Sequence, residues 1–283
     1  MTRREKISRA LLLLGVALFA VLWMWKPTYS QDEMTNQLLS DLCQRGLGAL
    51  IFLGATLFLG YRIFNRPTRL WWLAFLPALL VVINNFPIIG LAIGEVTVDR
   101  WDLLPLYLLD CLMIGAFEEI AFRGTIFIAL LEKRRKSTKQ IFWVAAISSA
   151  LFGLLHLTNL IDGAGIGPTL LQVGYSFLIG GMCSIVFLKC RNILPCILLH
   201  TLFDIGGRMV GTVASGRIWN LPTVIVTAVL GVAVAVWMLC VLWRVSPEET
   251  DVFFANKPQS PSEETPDSEE APDGEKTTDG EET

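Results

Sequence analysis

The sequence predicts an all-α fold, a polytopic membrane protein with about eight transmembrane helices. Three observations predict it. Of its 283 residues 53% are hydrophobic and only 17% charged, with a mean hydropathy of +0.54, too apolar for a soluble domain of this length. Runs of about 18 or more largely apolar residues, each able to cross a hydrocarbon core of about 30 Å, recur eight times along the chain. The loops between those runs alternate in charge, as membrane loops do.

The first run, Ile7–Trp25, follows Arg3, Arg4, Lys6 and Arg9 and so imitates a secretory leader. It is longer than a usual leader core, ends in Trp23 and Trp25 as an interfacial belt would, and lacks a small-x-small cleavage site, so it reads as a span. Gly46–Ile63 is the second span and Leu70–Ile93 the third, where Pro77 and Pro87 provide for a kink. Leu103–Leu131 is long enough to tilt or to end in a cytosolic extension. Ile141–Leu157, Thr169–Leu188, Ile193–Val213 and Leu221–Trp243 complete the set.

Basic residues collect at the amino terminus, at Arg62, Arg66 and Arg69, at Lys133 to Lys139, at Lys189 and Arg191, and at Arg244. The intervening loops carry Asp32, Glu33, Asp41, Glu95, Asp99, Asp102 and Asp162, with only scattered Lys26, Arg45, Arg100 and Arg217. The positive-inside rule then places both termini in the cytosol, in keeping with an even number of spans. The membrane part is expected to occupy 1–245. From about Ser246 the composition shifts to Pro, Ser, Thr, Asp and Glu, with 13 acids against Lys257 and Lys276, so 246–283 reads as an acidic, disordered cytosolic tail. Removing the tail's −11 from the whole chain's −3 leaves +8 on the membrane part, so the overall charge identifies no partner and calls for no nucleic acid. The six cysteines form no CxxC pair and no zinc-ribbon spacing, which supports neither a disulfide framework nor a thiolate metal site.

The chemistry-bearing residues lie where hydrocarbon should be. Both histidines of the chain, His156 and His200, fall inside apolar runs, as does the adjacent acid pair Glu118 and Glu119. Intramembrane ionisable groups are expensive, usually face a bundle interior, and mark function by default. On a helix Glu119 and Arg123 are four apart with the acid first, the favourable order for an intrahelical ion pair, while Glu118 points about 100° away and is left to face a cavity. Phe152 lies one turn before His156, and His200 one turn before Asp204, each pair on one face. Taken singly, a membrane histidine is as often a strut between helices, and Asp110 and Arg208 read as packing or boundary charges. The conjunction points to one water-filled pocket.

The ordered set Glu118-Glu119-x-x-x-Arg123, Phe152-x-x-x-His156 and His200-x-x-x-Asp204 resembles the signature motifs of the CAAX protease and bacteriocin-processing family of intramembrane endopeptidases, which includes the Rce1-type prenyl-protein endopeptidases. The resemblance covers roughly 103–213 and implies a catalytic core in helices 4–7. It implies that Glu118 activates a water with help from His156, that His200 and Asp204 stabilise the oxyanion, and that Glu119, Arg123 and Phe152 support the site. Many relatives carry asparagine where this chain has Asp204, which when ionised can only accept. Asp204 then either charges and orients His200 or stays protonated in a dry site. No cofactor is expected, with zinc bound by the histidines and acids as the alternative, although no HExxH occurs. The expected partners are a peptide or membrane-associated protein substrate and membrane lipid, in a bacterial plasma membrane, with leader peptides, bacteriocin maturation or self-immunity favoured over prenylated proteins. A non-catalytic regulator or chaperone of the same fold is the competing function, and a proton-coupled transporter the third. Counted along straight spans, Glu118 sits near mid-membrane, His200 nearer the cytosol and His156 towards the outer end, so a common site requires the fifth helix to start late, tilt or break.

Overall fold

A computed structural model describes residues 27–218 and 221–254, with isolated positions between 17 and 24. The predicted first span and the tail beyond 254 lie outside the described residues. Helix α1 (Glu33–Phe58) is followed by α2 (Trp72–Asn84), α3 (Ile88–Ile93) and strand β1 (Val96–Val98). Next come α4 (Leu104–Glu119), a π-helical continuation (Ile120–Phe127), α5 (Ile128–Lys133), α6 (Thr138–Leu155) and a 3-10 turn (His156–Leu160). The chain then forms α7 (Ile166–Cys190), α8 (Leu194–Arg208), β2 (Ala214–Gly216), α9 (Leu221–Leu242) and a last 3-10 segment (Glu248–Phe253). Among the described residues four helical stretches, Glu33–Phe58, Thr138–Leu160, Ile166–Cys190 and Thr223–Leu242, are long and apolar enough to cross a membrane. Leu50, Leu57, Leu80 and Val229 are among the large apolar side chains left outside the packed core, as a lipid-facing exterior requires.

Several expectations are corrected. The all-α class holds, since the described residues are mostly helical, but one short antiparallel pair was not expected: β1 and β2, with Val96 opposite Gly216 and Val98 opposite Ala214. The helix that holds the predicted second span starts at Glu33, ahead of Gly46, and ends at Phe58. Asp32 caps it by accepting from Thr35 N at 2.8 Å and Thr35 Oγ1 at 2.6 Å. These hydrogen bonds, with Arg100 beside them, hold the exposed Asp32 carboxyl down at about 2. The third span is broken: Pro77 is tolerated inside α2, while the chain interrupts after Asn84 and Pro87 starts a separate short helix. The seventh ends at Arg208, five residues before the predicted Val213.

The predicted boundary at 245/246 also moves. Phe253 is fully buried with its ring 4.8 Å from Phe187, and its carbonyl accepts from Arg62 N at 2.9 Å. Lys189 Nζ pairs with Glu249 at 2.8 Å and Arg135 with Asp251. These contacts strap residues 246–254 across the basic end of the bundle. Truncation after Val245 is therefore expected to lower thermal stability relative to truncation after Phe254, as read by melting in detergent. Restoring Phe253 alone cannot repair the loss, because the strap is held by a buried ring and ion pairs together.

The site is positioned by α4, which packs against α1 on one side and α8 on the other, with α6 and α7 packed together beside them. Gly115 sets the distance between α4 and α8: a Cβ there would meet Thr201 Oγ1 at 2.7 Å and Thr201 N at 3.0 Å. One turn further along α4 come Glu118 and Glu119, level with His200. Gly153 plays the same part between α6 and α7, where a Cβ would meet Val173 O at 2.8 Å.

Candidate active site

The acid pair and His200 form the centre. Glu119 is fully buried, and its Oε1 accepts from Arg123 Nη1 at 2.7 Å while standing 2.7 Å from His200 Nδ1. Since that oxygen is an acceptor, His200 Nδ1 is the donor, and the ring is oriented with Nε2 pointing elsewhere. Nε2 faces Glu118 Oε2 at 3.5 Å and Asp204 Oδ2 at 3.8 Å. The other oxygen of Glu118, Oε1, lies 3.6 Å from Arg45 Nη1 of α1. One imidazole thus touches both glutamates, and each glutamate has an arginine of its own.

The local helix geometry changes where these groups sit. After Glu119 the backbone widens into the π-helical stretch, with Thr125 Oγ1 donating to Ile120 O at 3.1 Å and bonded at 2.7 Å to Thr56 Oγ1 of α1. Such insertions are rare and concentrate at functional sites. Arg123, only 1% exposed, lies over the Phe152 ring at 4.6 Å. A Cβ on Gly180 of α7 would come within 3.2 Å of Phe152 Cδ1 and 3.3 Å of Arg123 Nη2, so the bare glycine makes room for the stacked pair.

Phe152 also joins the two histidines, its ring centroid being 5.4 Å from His156 and 5.8 Å from His200. The expected separation in depth is absent because α6 ends at Leu155 and His156 opens a tighter 3-10 turn, while α8 is short and places His200 beside Glu119. His156 has no direct ion pair with Glu118, yet lies close enough for the charges of Glu118, His200 and Arg45 to act on it. Its Nδ1 is 3.3 Å from Gln172 Nε2, and Gln172 Oε1 accepts from Asn159 Nδ2 at 2.7 Å. The relay makes Nδ1 an acceptor, which leaves the proton of a neutral His156 on Nε2.

All the sequence-predicted residues are brought together: Glu118, Glu119, Arg123, Phe152, His156, His200 and Asp204. Asp110 and Arg208, read separately from the sequence, pair with one another at 2.8 Å across α4 and α8, close to Asp204. Three residues were missed. Arg45 fell outside a span predicted to begin at Gly46, although Asp41 and Arg45 have the four-residue spacing of a helical pair. Gln172 and Asn159 carry no distinguishing pattern, being uncharged polar residues near a helix end.

His200 Nδ1 is held by Glu119, which leaves Nε2 to face the site, while His156 Nδ1 is held by Gln172; among the described residues no group of three or more His, Cys, Asp or Glu is disposed to hold an ion. What the side chains do provide is a carboxylate with two imidazoles gathered beside Phe152, backed by the buried Arg123 and the partly exposed Arg45. Residues 100–206 match the model of the family described as Type II CAAX prenyl endopeptidase Rce1-like. No curated protein and no solved structure matches the chain.

Proposed function

We propose, for a chain whose residues 100–206 match the model of the Rce1-like CAAX prenyl endopeptidases, that it is a glutamate-type intramembrane endopeptidase acting on a peptide or membrane-associated protein. The single observation carrying this reading is His200 Nε2 set 3.5 Å from Glu118 while its Nδ1 is fixed by Glu119. Peptide hydrolysis needs a base for water, donors for the developing oxyanion and a proton for the leaving amine. Glu118 takes a proton from water as the water oxygen bonds to the scissile carbonyl carbon. His156 orients that water through Nε2–H.

Charge counting supports the remaining role. Glu118, Glu119 and Asp204 bring three negative charges against the two of Arg45 and Arg123, so an imidazolium at His200 makes the cluster neutral. Its Nε2–H is then the donor to the oxyanion, and Asp204 at 3.8 Å favours that charge through space. Collapse of the tetrahedral intermediate breaks the C–N bond, and Glu118 returns its proton to the departing amine. The reading routes no step through zinc. It includes the eight-span topology with cytosolic termini in a bacterial plasma membrane.

The test uses the full chain in liposomes with a panel of membrane-anchored peptides, prenylated and unprenylated, and identifies products by mass spectrometry. New termini within one peptide class, formed equally after extensive dialysis against a chelator, are expected. No cleavage of any peptide would support the regulator alternative, and cleavage lost to the chelator and restored by zinc would overturn the metal-free mechanism.

A further inference from the structure

Arg45 reaches the centre of the site from α1, outside the segment 100–206 on which the family assignment rests. Its guanidinium lies 3.6 Å from Glu118 Oε1 and 5.3 Å from the centre of the Phe117 ring, and its side chain is 18% exposed. A cation in an apolar helix needs a partner whose charge offsets its desolvation. Arg45 meets Glu118 on the oxygen that His200 does not face, so the two contacts divide the carboxylate between them. Glu119 likewise has an arginine, Arg123, and the other nitrogen of the same imidazole, but both meet its Oε1.

We infer that Arg45 is a positioning residue for hydrolysis: it holds Glu118 as a carboxylate and fixes Oε1, leaving Oε2 directed at His200 and the reacting water. This rests on the endopeptidase reading. The groups that face Glu118 come from every neighbouring element. Glu119 and Arg123 lie on its own helix, His200 and Asp204 on α8, Arg45 on α1, His156 on the turn after α6, and Tyr175 on α7. Arg208 adds a cation beside Asp204 but is paired with Asp110. With Arg123 committed to Glu119, Arg45 is the arginine in direct contact with Glu118 among the described residues. Its loss leaves Glu118 Oε1 without the guanidinium beside it, so the carboxylate form loses a favourable charge and its oxygen loses a fixed direction.

The experiment reads the protonation of Glu118 directly and needs no substrate. The infrared carbonyl stretch of a protonated carboxyl group, assigned to Glu118 by its disappearance in E118Q, is followed as a function of pH in wild type, R45Q and R45K, with R45M in place of R45Q should the latter not purify. In R45Q the midpoint is expected to rise by about one pH unit or more, a tenfold loss of carboxylate on the acid limb. R45K restores it most of the way. In turnover the R45Q effect falls on kcat while KM holds. An unmoved midpoint in R45Q, or a rise that R45K leaves uncorrected, overturns the inference. Absence of Glu118-dependent cleavage by the wild type would instead count against the endopeptidase reading, and the infrared titration separates the two failures.

Discussion

Glu118→Gln is expected to lower kcat by about 10²–10⁴-fold, the contribution of a positioned general base, while leaving the melting temperature close to that of the wild type. The substitution keeps the shape of the side chain. It removes only the capacity to take a proton from water and give it to the amine. Stability is spared because Glu118 is the less committed of the two acids: its contacts at 3.5 and 3.6 Å are longer than the 2.7 Å bonds of Glu119. The measurement is single-turnover cleavage of a liposome-anchored peptide beside a melt of the same preparation. Unchanged kcat in a folded E118Q protein would sink the protease reading and leave the regulator.

The signature residues were legible in the sequence because each belongs to a pair that helical periodicity alone puts on one face. Glu119 with Arg123, Phe152 with His156 and His200 with Asp204 need no tertiary knowledge. Which pairs meet which was not legible. The sequence assigned Glu118 the help of His156, but the imidazole nearest Glu118 is that of His200, because Gly115 draws α8 against α4 at that level. Counting residues along straight spans with a common start separates the two histidines in depth. Helix starts are set by caps and turns, and the 3-10 turn at His156 and the short α8 undo the count.

Arg45 was hidden for a related reason. A hydropathy run begins where charge ends, whereas a helix begins where a cap begins, here Asp32, fourteen residues before the apolar run. Everything functional that lies between cap and run is invisible to hydropathy. The same logic hid the strap 246–254, whose Pro, Ser and Glu content matches a solvated tail even though Phe253 is buried. The π-helical stretch had no sequence mark at all, since it is stabilised by contacts such as Thr56 with Thr125, 69 residues apart.

Arg123→Met should cost about 3–5 kcal/mol of stability, the penalty for leaving one partner of a buried ion pair uncompensated. Arg123 and Glu119 are 1% and 0% exposed at the side chain, so no solvent screens the charge left behind. Methionine fills much of the same space and can still touch Phe152, which confines the loss mainly to charge and to the stacked guanidinium. Glu119 would keep His200 Nδ1 at 2.7 Å, so the folded state is weakened without being emptied of polar contacts. The double variant E119Q/R123M removes the stranded charge and should recover a large part of the stability in a denaturant or thermal melt. It should not recover hydrolysis. Glutamine offers His200 Nδ1 a neutral acceptor in place of an anion, and the imidazolium needed at Nε2 loses the charge that favoured it. Recovery of activity together with stability would show that Glu119 and Arg123 act only as packing, and would remove His200's charge from the mechanism.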